Sequence, residues 1–339
     1  MDERIKKKQL AILRVLKKAE KPLSSNKITV ELANLGMEVS ERSVRLYLQQ
    51  LDQDGFTLNF GRRGRQISEA GLGELDAAGI MERVGFLSAK IDQMTYRMNF
   101  DLDNRSGTVV INFTLVKPDD LLSCAEKIKQ VFAQGYTMGK FLTLLPAGEH
   151  LGGIVIPQGL VGVGTVCSIT LNGVLLQHGI PTTSRFGGLL ELQNNKPSRF
   201  VEIITYEGTS IDPLEVFIRS GMTNCLGTIQ TGDGRIGASF REYPSGSRHL
   251  VEKLAAQLDK AGFGGFMCLG RPGLPLLEIP VSEGRFGAVV IGGLNPVSIL
   301  EETGHRVFSR ALAGIVDFNQ LFHYEELTER LEAISEIPI

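Results

Sequence analysis

The sequence predicts an α+β protein: an N-terminal winged helix-turn-helix over residues 1–75, followed by an internally duplicated two-lobe α+β domain. Two observations predict this fold class. Residues 1–66 contain three helical patterns followed by a short basic hairpin. The rest of the chain contains two similar sequence stretches separated by roughly 125 residues.

Three helices are expected at the start of the chain. Apolar residues recur at helical spacing over residues 4–19, with lysines on the other face. Ser24 or Ser25 is a suitable N-cap for a second helix over residues 25–35. Ser40 can cap a third helix that ends near Asp54, and this helix has an apolar face of Val44, Tyr47, Leu48 and Leu51.

The third helix and the hairpin after it carry the residues expected to contact nucleic acid. Two short strands, 57–60 and 65–67, flank Gly61-Arg62-Arg63-Gly64, where the glycines permit a tight turn. In a winged helix, long polar side chains of the third helix reach base edges in the major groove, and the hairpin lies along the backbone. The predicted DNA contacts are therefore Arg42, Ser43, Arg45, Gln49, Arg62, Arg63 and Arg65. The alternative for each is an ordinary solvated face or turn.

The charge distribution favours the nucleic-acid interpretation. Residues 1–66 contain 14 Lys and Arg against 8 Asp and Glu, a net charge of +6; since the whole chain carries −2, the remainder carries −8. A basic N-terminal part joined to an acidic remainder is typical of a nucleic-acid module attached to a domain that binds something else.

The remainder of the chain is a duplication. The stretch from Gly107 to Phe113 matches the stretch from Gly234 to Phe240, and each strand precedes a helix that ends at a glycine. Later matches, at a slightly shorter offset, include Leu171-Asn172 with Leu294-Asn295 and Ser184-Arg185 with Ser309-Arg310. We therefore expect a connecting, partly helical segment over residues 76–104, a first lobe over 105–230 and a second lobe over 231–330.

No catalytic or metal-binding pattern stands out. The five histidines lack the H-E-x-x-H or H-x-H spacing, and there is neither a G-x-S-x-G elbow nor a phosphate-binding loop. The four cysteines are scattered, and every apolar run is shorter than the stretch that a membrane-spanning helix needs. We expect no catalytic residue, no metal, no cofactor and no membrane span, and a cytoplasmic protein with reduced thiols.

One polar stretch in the first lobe suggests a site for a small carboxylate. His178-Gly-Ile-Pro-Thr-Thr-Ser-Arg185 combines hydroxyls, an imidazole and a guanidinium, which are the groups that bind a carboxylate. Its counterpart in the second lobe keeps the Ser-Arg pair. The alternative is a structural cap or ion pair repeated by duplication. The candidate ligand-binding residues are Asn172, His178, Thr182, Thr183, Ser184, Arg185 and Arg310.

These motifs carry two resemblances. SERSVRLYLQQLDQDGF and GRRGRQISEAGLGEL resemble the winged helix at the front of ribonuclease R and in several prokaryotic regulators. The winged helix, the phrase from Arg83 to Leu115 and the duplicated part with GIPTTSRFGGLLEL together resemble the NrpR family of archaeal nitrogen regulators. That resemblance covers residues 5–325. It implies a homodimeric repressor of nitrogen-assimilation genes that binds a palindromic operator on double-stranded DNA and is released by the dicarboxylate 2-oxoglutarate.

Two alternative functions remain open from the residues. The first is an enzyme that acts on a small carboxylate and is fused to a regulatory head, although no acid–base or metal constellation supports it. The second is an RNA-binding regulator, because the ribonuclease-type winged helix also serves RNA enzymes.

Overall fold

The structure is a computed structural model that describes residues 3–19, 21–81, 86–151 and 153–335. The chain forms two compact units, Met1–Val84 and Gly85–Ile339, which we call the head and the body. The sequence predicted a separate connecting segment over 76–104. The described part of that segment consists of the end of a helix of the first unit, up to Met81, and of a helix (Phe86–Arg97) and a non-helical stretch of the second unit, and residues 82–85 lie outside the described residues.

The head begins with three helices, α1 (Glu3–Lys18), α2 (Ser25–Asn34) and α3 (Glu41–Gln53). Ser24 and Ser40 occupy the N-caps of α2 and α3, and each hydroxyl accepts a hydrogen bond from a backbone N–H of the first turn. The inner faces of the helices form a separate hydrophobic core of Leu10, Ala11, Ile12, Leu13, Val15, Leu16, Ile28, Leu32, Val44, Leu48, Leu51 and Leu75. The predicted winged helix is confirmed.

The wing is an antiparallel hairpin of β1 (Thr57–Asn59) and β2 (Arg65–Ile67). Leu23 adds a bridge to Arg65 through two backbone hydrogen bonds of 2.9 Å. Gly64 permits this close approach, because a Cβ there would lie 2.2 Å from the Leu23 carbonyl oxygen. The next helix, α4 (Glu69–Met81), packs against α1 and extends past the predicted end of the domain at residue 75.

The body begins with α5 (Phe86–Arg97) and then contains the two repeats. The first repeat consists of β3 (Thr108–Val116), α6 (Pro118–Ala133), β4 (Phe141–Leu145), β5 (His150–Leu151), β6 (Ile154–Val155), β7 (Val161–Val166), α7 (Ile169–Gln177), β8 (Thr183–Gln193), β9 (Lys196–Thr205), α8 (Pro213–Arg219) and α9 (Cys225–Thr231). The second consists of β10 (Gly234–Pro244), α10 (Arg248–Ala261), β11 (Phe266–Leu269), β12 (Arg285–Ile291), α11 (Asn295–Glu302), β13 (Phe308–Asp317), β14 (Phe322–His323) and α12 (Leu327–Ser335).

The two repeats exchange strands. One antiparallel sheet has the order β13-β3-β7-β4-β14 and the other has the order β11-β12-β10-β8-β9. The first sheet therefore takes β13 and β14 from the second repeat, and the second sheet takes β8 and β9 from the first. The predicted lobes, 105–230 and 231–330, follow the sequence repeats and do not correspond to the sheets, because matching residues alone do not show which strands pair.

A single hydrophobic cluster among the described residues runs through both repeats, from Leu87 to Leu331. The exchanged strands explain this continuity, since each repeat contributes strands to both sheets. Among the described residues, no helix is both long enough and apolar enough to span a bilayer.

Candidate functional site

The outward face of α3 presents three of the four polar residues predicted on it. Arg42, Arg45 and Gln49 are exposed, whereas Ser43 is half-buried. The Ser43 backbone N–H donates to the Ser40 hydroxyl at 3.2 Å, and the two hydroxyls lie 2.9 Å apart. Ser43 therefore belongs to the cap of the helix, and the long side chains of the other three are the ones that project from it.

Arg45 is held by side chains of the head. Its guanidinium donates to Glu41 at 2.7 Å and to the Ser25 hydroxyl at 3.2 Å. Hydrogen bonds from Ser25 and then Arg45 lower the pKa of Glu41. This ion pair is exposed to solvent and is therefore weak, so Arg45 can leave it for a phosphate or a base edge at small cost.

The wing tip presents its two arginines to solvent. Arg62 and Arg63 are exposed in the turn between β1 and β2. The Arg63 guanidinium lies 5.7 Å from the centre of the Phe60 ring, a cation–π arrangement that orients its side chain.

Arg65 has a different environment from the other predicted DNA contacts. Its guanidinium is largely buried and donates to Asp52 of α3 at 2.9 Å. Asp52 also accepts from the Thr57 hydroxyl at 2.5 Å and from the Asn59 amide at 3.2 Å. Asp52 therefore connects α3 to both strands of the wing, and Arg65 has a role in holding the wing against the third helix.

The most unusual polar group in the body is the guanidinium of Arg241 on β10. The side chain is only 1% exposed. It donates to the Ser168 carbonyl at 2.9 Å, to the Ser168 hydroxyl at 2.6 Å and to the Asn172 side-chain oxygen. No carboxylate in the described part of the chain lies within 4.0 Å of it. A fully buried cation without a counter-ion is costly.

Three buried polar groups in this region, the Arg241 Nε, the Tyr243 hydroxyl and the Thr182 hydroxyl, form no hydrogen bond of normal geometry among the described residues, although Arg241 and Thr182 lie close enough to Tyr243 to lower its pKa. Burial raises the pKa of Tyr243, and Arg241 beside it opposes that rise. Ser184 joins the group, because its hydroxyl accepts from the Asn172 amide at 3.3 Å. Donors and hydroxyls without partners beside a lone guanidinium form an arrangement suited to an anion.

The polar stretch predicted from the sequence divides between the two faces of its sheet. Ser184 pairs with Arg241, and Thr183 pairs with Glu242, in the register of β8 and β10. Since successive residues of a strand point to opposite faces, Ser184 and Arg241 share one face while Thr183 and Glu242 share the other. Arg185 lies at a bulge and forms an ion pair with Glu242.

The second face is occupied by internal contacts. Glu242 is 1% exposed and accepts from Arg185 and from the Ser282 backbone N–H at 3.1 Å. Thr183 accepts from Arg285 at 2.8 Å. Arg185 therefore neutralises a buried carboxylate, whereas Arg241 on the other face has no carboxylate within 4.0 Å among the described residues.

Besides Thr183 and Arg185, two further predicted ligand-binding residues lie outside the Arg241 cluster. His178 follows the end of α7, its ring is exposed, and its Nδ1 lies 2.8 Å from the Val174 carbonyl oxygen. Arg310 lies on β13 in the other sheet, with its guanidinium 5.4 Å from the centre of the Phe308 ring. The structure therefore brings together Asn172, Thr182 and Ser184, and adds Ser168, Arg241 and Tyr243.

A small cavity of about 20 Å³ borders the cluster and is lined by residues that include Ser168, Ser239, Tyr206, Asp212 and Ile91. A cavity of this size accommodates roughly one water molecule. Burial, assisted by nearby Glu215, raises the pKa of Asp212 to about 7. The cavity also touches α5, the helix that follows the head along the chain, through Ile91.

Sequence reasoning missed Arg241, although the duplication contained a signal for it. The offset that relates Gly107 to Gly234, and so β3 to β10, places Arg241 opposite Thr114. In the first repeat the Thr114 hydroxyl lies 2.9 Å from the hydroxyl of Ser309, which is the counterpart of Ser184. One repeat therefore has a closed Thr–Ser contact where the other has a buried guanidinium.

Comparisons with known proteins agree with this architecture. Residues 84–323 match the description "NrpR regulatory domains NRD1 and 2", and residues 10–75 match the ribonuclease R winged-helix domain. A nitrogen repressor-like protein from Methanococcus jannaschii has a crystal structure that covers 70% of this chain and 97% of its own. Its TM-score is 0.59 and its sequence identity is 26%.

Curated relatives cover almost the whole chain. The global nitrogen regulator NrpRI of Methanosarcina mazei is 35% identical over 95% of this chain and 99% of its own length. The NrpR proteins of Methanococcus maripaludis and Methanocaldococcus jannaschii are 30% and 32% identical, and the chain spans 54% of the length of each. The chain therefore belongs to the NrpR family of global nitrogen regulators, and it is a winged-helix transcriptional regulator rather than an enzyme.

Proposed function

We propose that this chain is a homodimeric repressor of nitrogen-assimilation genes whose operator affinity falls when a small dicarboxylate such as 2-oxoglutarate binds the body. The observation that carries the effector part is Arg241, a buried guanidinium with an unused Nε and no carboxylate partner among the described residues. The relatives named above are nitrogen regulators, and the ligand and the direction of control are our proposal.

In the head, α3 would enter the major groove of a double-stranded operator with Arg42, Arg45 and Gln49 near base edges. Arg62 and Arg63 would lie along phosphates or in the minor groove. Two heads of a homodimer would read two half-sites, so the operator is expected to be palindromic. In this scheme Ser43 and Arg65 support the interface, because the first belongs to the helix cap and the second pairs with Asp52.

In the body, one carboxylate of the effector would bind Arg241, with Ser184, Thr182 and Tyr243 providing further hydrogen bonds. The adjoining cavity of about 20 Å³ is too small for a dicarboxylate. The effector therefore has to bind an opened state, and it shifts the body toward that state by its higher affinity for it. This shift of the body toward its opened state is the step by which effector binding would lower the operator affinity of the head.

The effector proposal is tested by calorimetry of 2-oxoglutarate on the full chain with two arginine variants. Arg241→Gln should weaken binding at least tenfold, because charge-assisted hydrogen bonds contribute about 1.5–3 kcal/mol each and about 1.4 kcal/mol is tenfold in affinity. Arg185→Gln removes the same charge from the opposite face of the sheet and should retain binding. Thermal denaturation reports whether each variant is folded.

Loss of binding only in Arg185→Gln would place the effector on the other face of the sheet. Undiminished binding in folded Arg241→Gln would exclude the proposed site. If wild type shows no heat with 2-oxoglutarate or with related dicarboxylates, the body has a different ligand.

The DNA proposal is tested by the salt dependence of operator binding. The variant Arg62→Ala/Arg63→Ala should bind more weakly, and its slope of log K against log salt should decrease by up to about 4, since the two heads of the dimer lose four phosphate contacts and each contributes about 0.9 to the slope. Equal slopes for the variant and wild type would contradict the wing assignment. Competition with structured RNA tests the alternative of an RNA-binding regulator, which predicts that RNA displaces the duplex.

A further inference from the structure

The centre of the outward face of α3 is apolar. Leu46 is 64% exposed, although leucine is normally a buried residue. It lies four residues after Arg42 and three before Gln49, and these spacings place all three side chains on one helix face. The opposite face is the buried one, formed by Val44, Leu48 and Leu51.

Leu46 lies outside the hydrophobic core that the described residues of the head form. The core of the head contains Val44, Leu48 and Leu51 of this helix but not Leu46. Its neighbours along the helix are polar, since Arg45 is exposed and pairs with Glu41. A single exposed leucine beside Arg42 and Arg45 is poorly suited to a protein interface, whose centre is depleted of charge.

We propose that Leu46 reads the C5-methyl group of a thymine in the major groove. The inference rests on the proposed function, in which α3 enters that groove. A leucine side chain cannot hydrogen-bond to a base edge, and the thymine methyl is the apolar feature that the major groove offers. Gln49 on the same face can donate and accept at adenine, so Leu46 and Gln49 together favour A·T pairs in each half-site.

The expected effect is set by one buried methyl group. Removing the methyl from the thymine should weaken wild-type binding about fourfold for each half-site, because burial of one CH₂-sized group contributes that factor. Leu46→Ala should bind the two forms of the operator equally, because the side chain that contacts the methyl has been shortened.

The experiment starts with a duplex selected by the wild-type full chain from a random library. Each thymine is then replaced by deoxyuridine, which keeps the base pair and removes only the methyl. Fluorescence anisotropy gives the affinity of wild type, Leu46→Ala and Leu58→Ala for every duplex. Leu58 is a matched control, since it is an apolar residue of the wing that is 51% exposed.

The proposal predicts one thymine per half-site at which wild type and Leu58→Ala lose about fourfold and Leu46→Ala loses nothing. It is overturned if no thymine shows a methyl effect in wild type, or if folded Leu46→Ala keeps the whole effect. It is also overturned if Leu46→Ala changes only the oligomeric state, because Leu46 would then contact protein. If the wild-type chain selects no duplex from the library, both the proposed sequence-specific binding of DNA and the role of Leu46 are contradicted.

Discussion

Asp212 is a carboxyl group whose burial makes the stability of the body depend on pH. It caps α8 by accepting a hydrogen bond from the Leu214 backbone N–H at 2.9 Å. Burial and the nearby Glu215 raise its pKa to about 7, while Lys90 opposes the rise. The folded state therefore retains a proton that the unfolded state releases near pH 4.

A folded-state pKa raised above the unfolded value stabilises the body fully below pH 4, and this stabilisation is lost as pH rises through about 7. We expect the free energy of unfolding of wild type to fall between pH 5 and pH 8. In Asp212→Asn the fall should be smaller by more than about 1.4 kcal/mol, the equivalent of one pKa unit. Asparagine preserves the cap.

Denaturant unfolding at pH 5 and pH 8, followed by circular dichroism, measures this difference. The Asp233→Asn variant is a suitable control, since that carboxyl group is exposed to solvent. An identical pH dependence in wild type and Asp212→Asn would show that Asp212 titrates as an ordinary carboxyl group.

At the scale of single elements, α3 and the wing depend on each other through Asp52. This side chain accepts hydrogen bonds from Thr57, Asn59 and Arg65 of the wing, and its own backbone belongs to α3. Loss of the carboxylate would leave a largely buried guanidinium unpaired. Asp52 therefore contributes, together with the Leu23–Arg65 backbone bridge, to the position of the wing relative to the third helix.

Asp52→Ala should destabilise the head by about 1–3 kcal/mol, because a buried donor loses its partner. It should also weaken operator binding without removing any direct contact. Thermal denaturation of the full chain measures the stability of the head, and fluorescence anisotropy measures the affinity for the selected operator. Asp54→Ala, two residues away and exposed, should change neither. A stable Asp52→Ala head with unchanged affinity would mean that the wing holds its position without this residue.

The elements of the head could be predicted closely from the sequence, because each has a local cause. Serine caps, a helical period of apolar residues and two glycines at a turn placed α1 to α3 and the wing within a few residues of the observed bounds. Leu46 was overlooked, because helical periodicity singles out the apolar residues that share the core face, and Leu46 lies on the opposite face. Arg65 was assigned to DNA, because its partner Asp52 is distant in sequence.

In the body, the sequence predicted the repeat but not its pairing. Matching residues give the order of the elements, whereas the exchange of β8 and β13 between the sheets depends on contacts that only the folded chain shows. For the same reason, the polar stretch that ends at Arg185 was interpreted as one cluster. Because successive side chains of β8 point to opposite faces of the sheet, Thr183 and Ser184 are separated. The residue paired with Ser184 is Arg241 from the other repeat.

At the scale of the whole molecule, the duplication is symmetric in fold and asymmetric in chemistry. Asn295, the counterpart of Asn172, is fully buried and bonds to the Gly237 backbone and to the Tyr136 carbonyl oxygen. Thr114 and Ser309 likewise bond to each other. Among the described residues, the Arg241 cluster belongs to the second sheet alone, so we expect one effector molecule per chain.

In the proposed mechanism, binding of the effector to the body and binding of the operator to the head weaken each other. The most direct measurement is the affinity for 2-oxoglutarate of the wild-type protein, determined by calorimetry with and without saturating operator. Linkage requires that the operator weaken 2-oxoglutarate binding by the same factor by which 2-oxoglutarate weakens operator binding, and a factor of about 5–150 is typical of allosteric coupling. We predict a factor in that range for wild type, with one site per chain. Equal affinity for 2-oxoglutarate in the presence and absence of operator would contradict the account.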